Sequence, residues 1–225
     1  MTDEHFTMLC RYETELAAQG FQLIGGVDEA GRGPLAGPVV AACVLFPSEG
    51  PFPRADDSKK LKPEKREVLY QEIIDTAVAV GIGISDHVMI DEMNILQATY
   101  AAMRQAAAQA AAAAYERRGQ GPEMLLVDHV RIPGIEIPQL PITHGDALSV
   151  SIGAASIIAK VTRDRLMTAY AAQYPQYGFE KHKGYGTKQH YEAIAVYGMC
   201  GIHRRSFLKK VISAESEKKT AVPAD

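Results

Sequence analysis

Four acidic residues stand at the ends of apolar runs. Leu23-Ile-Gly-Gly-Val leads into Asp28-Glu29, Met124-Leu-Leu-Val into Asp128, and, more loosely, Leu140-Pro-Ile-Thr-His-Gly into Asp146. Adjacent carboxylates at the tip of a buried strand repel each other and lose hydration. A positive partner is expected to offset that cost, and a divalent cation is the usual one. Hard oxygen ligands suit Mg²⁺ or Mn²⁺ rather than zinc, and Cys10, Cys43 and Cys200 are too scattered to form a competing thiolate site. Four carboxylates on converging strand tips could hold two cations about 3.5–4 Å apart, one activating water and one stabilising the leaving oxygen. A lone Asp after a strand is more often a helix cap or turn residue. Three such tips in one chain favour chemistry.

The elements that must position these acids follow from periodicity. Residues 3–18 read as a helix stopped by Gly20, Phe21–Asp28 as the opening strand, and Val39–Phe46 as its partner across a tight Gly/Pro-rich loop. Consecutive strand residues face opposite sides of a sheet. Asp28 and Glu29 can therefore share a site only if the strand bends or ends there, as Gly31 and Gly33 would permit. A helix over Glu64–Thr76, a strand over Val78–Ile84 and a long helix over Asp91–Arg118 come next. The alanine run Ala106–Ala114 reads as a structural helix made for close packing. Met124–Asp128 is a short buried strand, and residues 149–172 form a helix carrying Ser156, Lys160 and Arg163 on helical spacing. Strands alternating with helices after an antiparallel start give an α/β class with a mixed sheet. Sites in such sheets form at the carboxyl ends of strands. The spacing of Gly31, Gly33 and Gly37, with Pro34 where a helix should open, excludes a dinucleotide fingerprint.

With 47% hydrophobic and 23% charged residues the chain is of ordinary globular composition. It has no apolar stretch of the roughly 18 residues that span a membrane and no secretory signal, so a reduced, cytoplasmic setting is expected. The net charge of −3 conceals an asymmetry. Between residues 160 and 210 ten Lys/Arg face three acids, an acidic body joined to a basic C-terminal third. That fits a carboxylate site beside a phosphate-binding surface, or a solvated charged face.

Several longer stretches together resemble ribonuclease HII: Gly26-Val-Asp-Glu-Ala-Gly-Arg-Gly-Pro34, Asp57-Ser-Lys-Lys-Leu61, Asp91-Glu-Met-Asn-Ile-Leu96, Val127-Asp128 and Gly145-Asp146. Ala154-Ala-Ser-Ile-Ile-Ala-Lys-Val-Thr-Arg-Asp164, Tyr177-Gly-Phe179, His182-Lys-Gly-Tyr-Gly-Thr187 and His203-Arg-Arg-Ser-Phe207 complete the set, in family order over nearly the whole chain. The resemblance implies an RNase H-like core over residues 1–173 and a small helical substrate-binding part over 174–212; the polar residues 213–225 read as a disordered tail. It implies cleavage of RNA in RNA·DNA hybrids and 5′ of single ribonucleotides in duplex DNA, dependent on Mn²⁺ or Mg²⁺ and leaving a 3′-hydroxyl and a 5′-phosphate. By motif match Asp28, Glu29, Asp128 and Asp146 take the metal-binding, catalytic positions. Gly31, Arg32 and Gly33 would read the ribose 2′-hydroxyl, the group that separates RNA from DNA. Tyr185 would stack on the neighbouring deoxyribose, and Ser58, Lys59, Lys60, Ser156 and Lys160 would hold phosphates. Arg204 and Arg205 read either as further phosphate contacts or as solvated charges. His129 stands where the family commonly has glycine, and His144 where it commonly has lysine. The expected state is a monomer without an evident protein partner. Rival readings are ribonuclease HIII, which carries an N-terminal domain for which residues 1–20 are too short, type 1 RNase H, and a catalytically silent nucleic-acid binder on the same fold. Four intact carboxylates facing phosphates argue against the last.

Overall fold

In a computed structural model the chain is described over residues 1–56 and 58–209; the expected tail over 213–225 lies outside the described residues. Five strands form one sheet in the order β3-β2-β1-β4-β5: β1 (Leu23–Ala30), β2 (Val39–Pro47), β3 (Ala79–Ser85), β4 (Met124–Asp128) and β5 (Gln139–Ile142). β1 pairs antiparallel with β2 and β2 with β3, whereas β4 and β5 continue in parallel from β1. The mixed α/β sheet expected from the sequence is therefore present.

Helices cover both faces. On one, α5 (Ile95–Arg118) lies over Val27, Cys43, Leu45, Leu125 and Val127. Its buried Ala102, Ala106 and Ala110 approach so closely that a Cβ on Gly83 would lie 1.8 Å from the Ala102 carbonyl oxygen, and one on Gly81 2.0 Å from that of Ala106. This is what the alanine run is for. The same helix protects the sheet edge, because Gln109 and Gln105 accept the outward N–H groups of Ile82 and Ile84 on β3. On the other face, α6 (Val150–Gln173) packs against Ala42, Val44 and Phe46, with α3 (Pro63–Thr76) beside it. The N-terminus of α6 is held by Ser149 and by buried Glu13, whose Oε1 accepts from the Ser149 hydroxyl and the Ser151 N–H. Glu13 lies on α2 (Arg11–Ala18), which follows α1 (Asp3–Leu9).

Two helices read as continuous are broken. Residues 3–18 split at Cys10, and the helix expected over Asp91–Arg118 breaks at Asn94, whose φ is 72°, its first residues belonging to α4 (His87–Met93) and the rest to α5. The Asn94 side chain accepts from Leu96 and Gln97 N–H and so starts α5 anew. After Gln173 come the short helices α7 (Phe179–His182) and α8 (Lys188–Tyr197), around Met167, Tyr177, Phe179, Ile194, Ile202 and Leu208. Leu35 and Ala36, from the loop between β1 and β2, belong to this same apolar cluster. No helix of the described residues is long and apolar enough to cross a membrane.

Candidate active site

The β1–β2 connection is not a tight turn. Gly31–Pro38 projects from the sheet and is clasped by the C-terminal part. Leu35 N–H donates to Gly184 O, Arg204 N–H to Leu35 O, and Gly37 N–H to Ile202 O. Two buried arginines complete the clasp. Arg204 donates from Nη2 to Gly31 O (2.6 Å), from Nη1 to Arg32 O (2.9 Å) and from Nε to Gly37 O (2.9 Å). Arg163 donates to the carbonyls of Pro38, Ala36 and Lys183. Burial pushes both guanidinium groups down, Arg204 to about 9 and Arg163 to about 10. Arg204 is thus neither a phosphate contact nor a solvated charge, and Arg205 is exposed with its N–H on Asp91. Two of the ten cations that made the C-terminal third basic are spent on holding a loop.

The loop walls a cleft of about 220 Å³ bordered by Asp28, Glu29, Asp128, Gly31, Arg32, Gly33, Ser58, Lys59, Ser156, Lys160, Arg163 and Tyr185. β1 neither bends nor ends at its acidic pair, since Ala30 still pairs with Val40. Its pairing with β4 stops at Val27, however, so from Asp28 onward that side of β1 is open. Asp28 and Glu29 reach the cleft there together. Asp128 comes from the end of β4. Asp146 lies in the turn before α6, outside the cleft wall, and joins it through Lys59, whose Nζ is 2.8 Å from Asp146 Oδ2.

Each carboxylate has a local partner. Asp28 Oδ1 accepts the Glu29 N–H (2.7 Å), Glu29 lies 3.4 Å from Arg32 Nη1, and Asp128 Oδ1 accepts the Gly145 N–H (2.7 Å). These partners do not outweigh desolvation and mutual repulsion. Burial, then the charges of Glu29 and Asp128, hold the Asp28 carboxyl well above the usual range. Burial first, with neighbouring acids adding to it, also raises Glu29 and Asp128. The donor set is hard oxygen under electrostatic strain, which fits Mg²⁺ or Mn²⁺ chemically. Among the described residues, though, no three His, Cys, Asp or Glu side chains are gathered tightly enough to ligate an ion as they stand. Lys59 and Arg32 supply the positive charge in this arrangement.

The other sequence-derived residues separate by environment. Ser58 and Ser156 are buried at the cleft wall and hydrogen-bond each other (2.7 Å). Lys160 is tied to Asp164 (2.7 Å) and lines both this cleft and a larger groove of about 700 Å³, shared with Arg66, Arg165, Lys181 and Lys183. The side chain of Lys60 lies outside what is described. Tyr185 is exposed at the rim. Gly31, at φ 98°, could not carry a Cβ, which would meet Arg163 Nε at 2.0 Å. Gly33 is different: a Cβ there would meet only Tyr185 Cε1, at 3.8 Å. Among the described residues, then, nothing would obstruct a side chain at position 33. His129 and His144 both adopt left-handed backbone, φ 60° and 58°. That conformation accounts for glycine being at home at position 129. Asp91, from a matching stretch whose role was open, accepts from Arg205 N–H, Ser206 N–H and the Ser206 hydroxyl, and so pins the C-terminal segment.

Comparison with known proteins bears on the family and the fold. The sequence profile of the family described as Ribonuclease HII matches residues 25–210. Ribonuclease HII of Bacillus cytotoxicus is 53% identical over 204 residues, covering 91% of this chain and 75% of its own. The crystal structure of ribonuclease H2 from Pyrococcus horikoshii OT3 superposes with a TM-score of 0.63 at 28% identity, covering 84% of this chain and 96% of that one. Bst-RNase HIII, solved in complex with Mn²⁺, shares the fold at a TM-score of 0.51 and 18% identity, over 81% of this chain and 73% of that one. The chain belongs to the ribonuclease HII family and is an enzyme of the ribonuclease H class.

Proposed function

We propose that this enzyme cuts the RNA strand of RNA·DNA hybrids, and duplex DNA on the 5′ side of single embedded ribonucleotides, leaving a 3′-hydroxyl and a 5′-phosphate. Asp28, Glu29, Asp128 and Asp146 are the acids that would hold Mg²⁺ or Mn²⁺, two ions in the working site. Such ions would supply Lewis acidity toward the scissile phosphodiester. The chain's own residues perform the recognition. The peptide N–H groups of Gly31–Gly33, whose carbonyls at 31 and 32 are turned away onto Arg204, meet no backbone acceptor among the described residues and would be available to a ribose 2′-hydroxyl. Gly33 lets that sugar approach without a side chain in the way. The Tyr185 ring offers a flat face to the next sugar, where a deoxyribose packs best. Lys59, Lys60 and Lys160, with Ser58 and Ser156, would steady phosphates. A phosphate reaching Lys160 or Lys59 must compete with Asp164 or Asp146.

The observation that carries this reading is the meeting, in one cleft, of three strained carboxylates with the glycine loop and Tyr185. The test is a duplex with one embedded ribonucleotide, incubated with Mg²⁺ or Mn²⁺ and with wild type or Asp28→Asn. Cleavage on the 5′ side, abolished by chelation and in the variant, is the expected result. Binding without cleavage under either metal would overturn the catalytic assignment. Cleavage confined to long hybrids would leave the acids in place and overturn Gly31–Gly33 and Tyr185 as junction readers.

A further inference from the structure

Behind Tyr185 lies a chain of hydrogen bonds whose direction is fixed by chemistry. Cys200 N–H donates to His203 Nδ1 at 2.9 Å, so a neutral His203 carries its hydrogen on Nε2. That nitrogen is 3.0 Å from His190 Nε2. Two neutral rings can share this contact only if one donates, so His203 donates and His190 accepts. His190 must then carry its hydrogen on Nδ1, which is 2.9 Å from the carbonyl oxygen of Tyr185. Every donor and acceptor is matched in one arrangement: Cys200 to His203 to His190 to Tyr185. Both rings are buried, His190 stacked on His182 at 4.5 Å and edge-on to Phe179, and His203 packed against Tyr177. Residue 203 also pairs with Ala36 in an isolated bridge, and its neighbour Arg204 holds the carbonyls of Gly31 and Arg32. One short segment therefore reaches both walls of the recognition cleft, the glycine loop directly and the tyrosine through two imidazoles.

We propose that His203 and His190 are positioning residues that set the seat of Tyr185 opposite Gly33, and through it the enzyme's preference for a ribose–deoxyribose junction. This rests on the junction-reading role given to Tyr185 above. Neither imidazole touches substrate. What they fix is the peptide carrying the phenol ring, whose carbonyl also accepts the Thr187 N–H, at a rim where Tyr185 is 45% exposed and the Arg163 guanidinium lies 6.0 Å from the ring centroid.

Two readouts test it on the full-length enzyme. In ¹⁵N NMR of the histidine rings near neutral pH, His190 should be the Nδ1–H tautomer and His203 the Nε2–H tautomer. The reverse pair, or rapid exchange between both, overturns the relay. For activity, kcat/KM is measured on a duplex with one embedded ribonucleotide and on a long RNA·DNA hybrid. His203→Phe should lower the ratio of the two about tenfold, as expected when a contacting group is slightly misplaced. Tyr185→Ala should lower it at least as much, and the double variant should be no worse than Tyr185→Ala alone. His203→Gln, which keeps a donor toward His190, should recover most of the ratio and serves where the Phe variant folds poorly. Equal losses on both substrates for His203→Phe and His203→Gln would mean a general structural role and overturn the proposal. If Tyr185→Ala itself leaves the ratio unchanged, the junction-reading role fails. If Tyr185→Ala changes it and neither His203 variant does, only the relay fails.

Discussion

Acidification should loosen the histidine pair, and the size of the effect follows from its surroundings. Burial, together with the neighbouring His190, pushes His203 down to about 4, against an ordinary 6.5. The folded state thus favours the neutral ring, and the unfolded chain takes the proton first as pH falls. The stability carried by a neutral His203 is complete above about pH 6.5 and is lost as pH drops toward the folded value near 4. Between pH 7.5 and 5 the linkage relation gives about 2 kcal/mol, which residual solvent screening brings to about 1 kcal/mol. Other groups bear on this ring: His190 at its Nε2, the rings of Tyr177 and Phe179, Arg204 next in the chain, and His87, Asp91 and Glu92 around the adjoining pocket. Elsewhere, Asp28, Glu29, Asp128 and Glu13 are all raised, so their protonation favours the fold as pH falls and opposes the histidine effect. A single pH–stability curve would mix the two. The informative quantity is the gap in urea-unfolding free energy between wild type and His203→Gln, in which the carboxylates cancel. That gap should shrink by about 1 kcal/mol from pH 7.5 to 5. A constant or widening gap would refute the buried, neutral His203 on which the relay depends.

The glycine loop and the acid cluster make two sharper separations. Gly33→Ala should leave the unfolding free energy within about 0.5 kcal/mol of wild type, since its Cβ meets nothing closer than 3.8 Å, while cutting of a single embedded ribonucleotide falls at least tenfold. Gly31→Ala, by contrast, forces a Cβ into Arg163 at positive φ and should cost stability itself, by about 2 kcal/mol or more in urea titrations. In the presence of chelator, Asp28→Asn should raise the melting temperature by a few degrees, about 1–2 kcal/mol, because it removes a buried charge repelled by Glu29, Asp128 and Asp146 yet keeps an acceptor for the Glu29 N–H. A lower melting temperature for the metal-free variant would mean that the cluster is not strained.

What the sequence made legible is what depends on local pattern. β4 is found residue for residue as Met124–Asp128, because an apolar run ending in a carboxylate states both its class and its boundary. The sheet class follows from the alternation of such runs with helical periods. The breaks at Cys10 and Asn94 were missed because apolar spacing continues across them. At Asn94 a signal existed: an Asn whose side chain can cap the residues two and three ahead is a helix start, and Asp86 makes the same kind of cap for α4. Asp28 and Glu29 were expected to need a bent or finished strand. Pairing was the deciding variable instead: β1 stays in register with β2 but loses β4 after Val27, and half a ladder is enough to open a site.

The side chains that hold the site in shape were illegible for a different reason. Arg163 stands at helical spacing from Ser156 and Lys160, but neither it nor Arg204 is distinguished in sequence from the other cations of a basic region. Their need arises only when Gly31–Pro38 is folded away from both sheet partners, which leaves the carbonyls of residues 31, 32, 36, 37 and 38 without strand donors. A buried acceptor must be met, and a guanidinium can meet several at once from a fixed fork. The donors come from residues more than a hundred positions away, so nothing local predicts them. The physical chemistry does, however, say what to look for once a glycine-rich loop is suspected of reading a ligand with its N–H groups. Its carbonyls must point elsewhere, and whatever receives them decides how firmly the N–H groups are aimed. By that reasoning the specificity proposed for this site would be set as much by Arg204 and His203, which are buried behind the cleft, as by Gly33 and Tyr185.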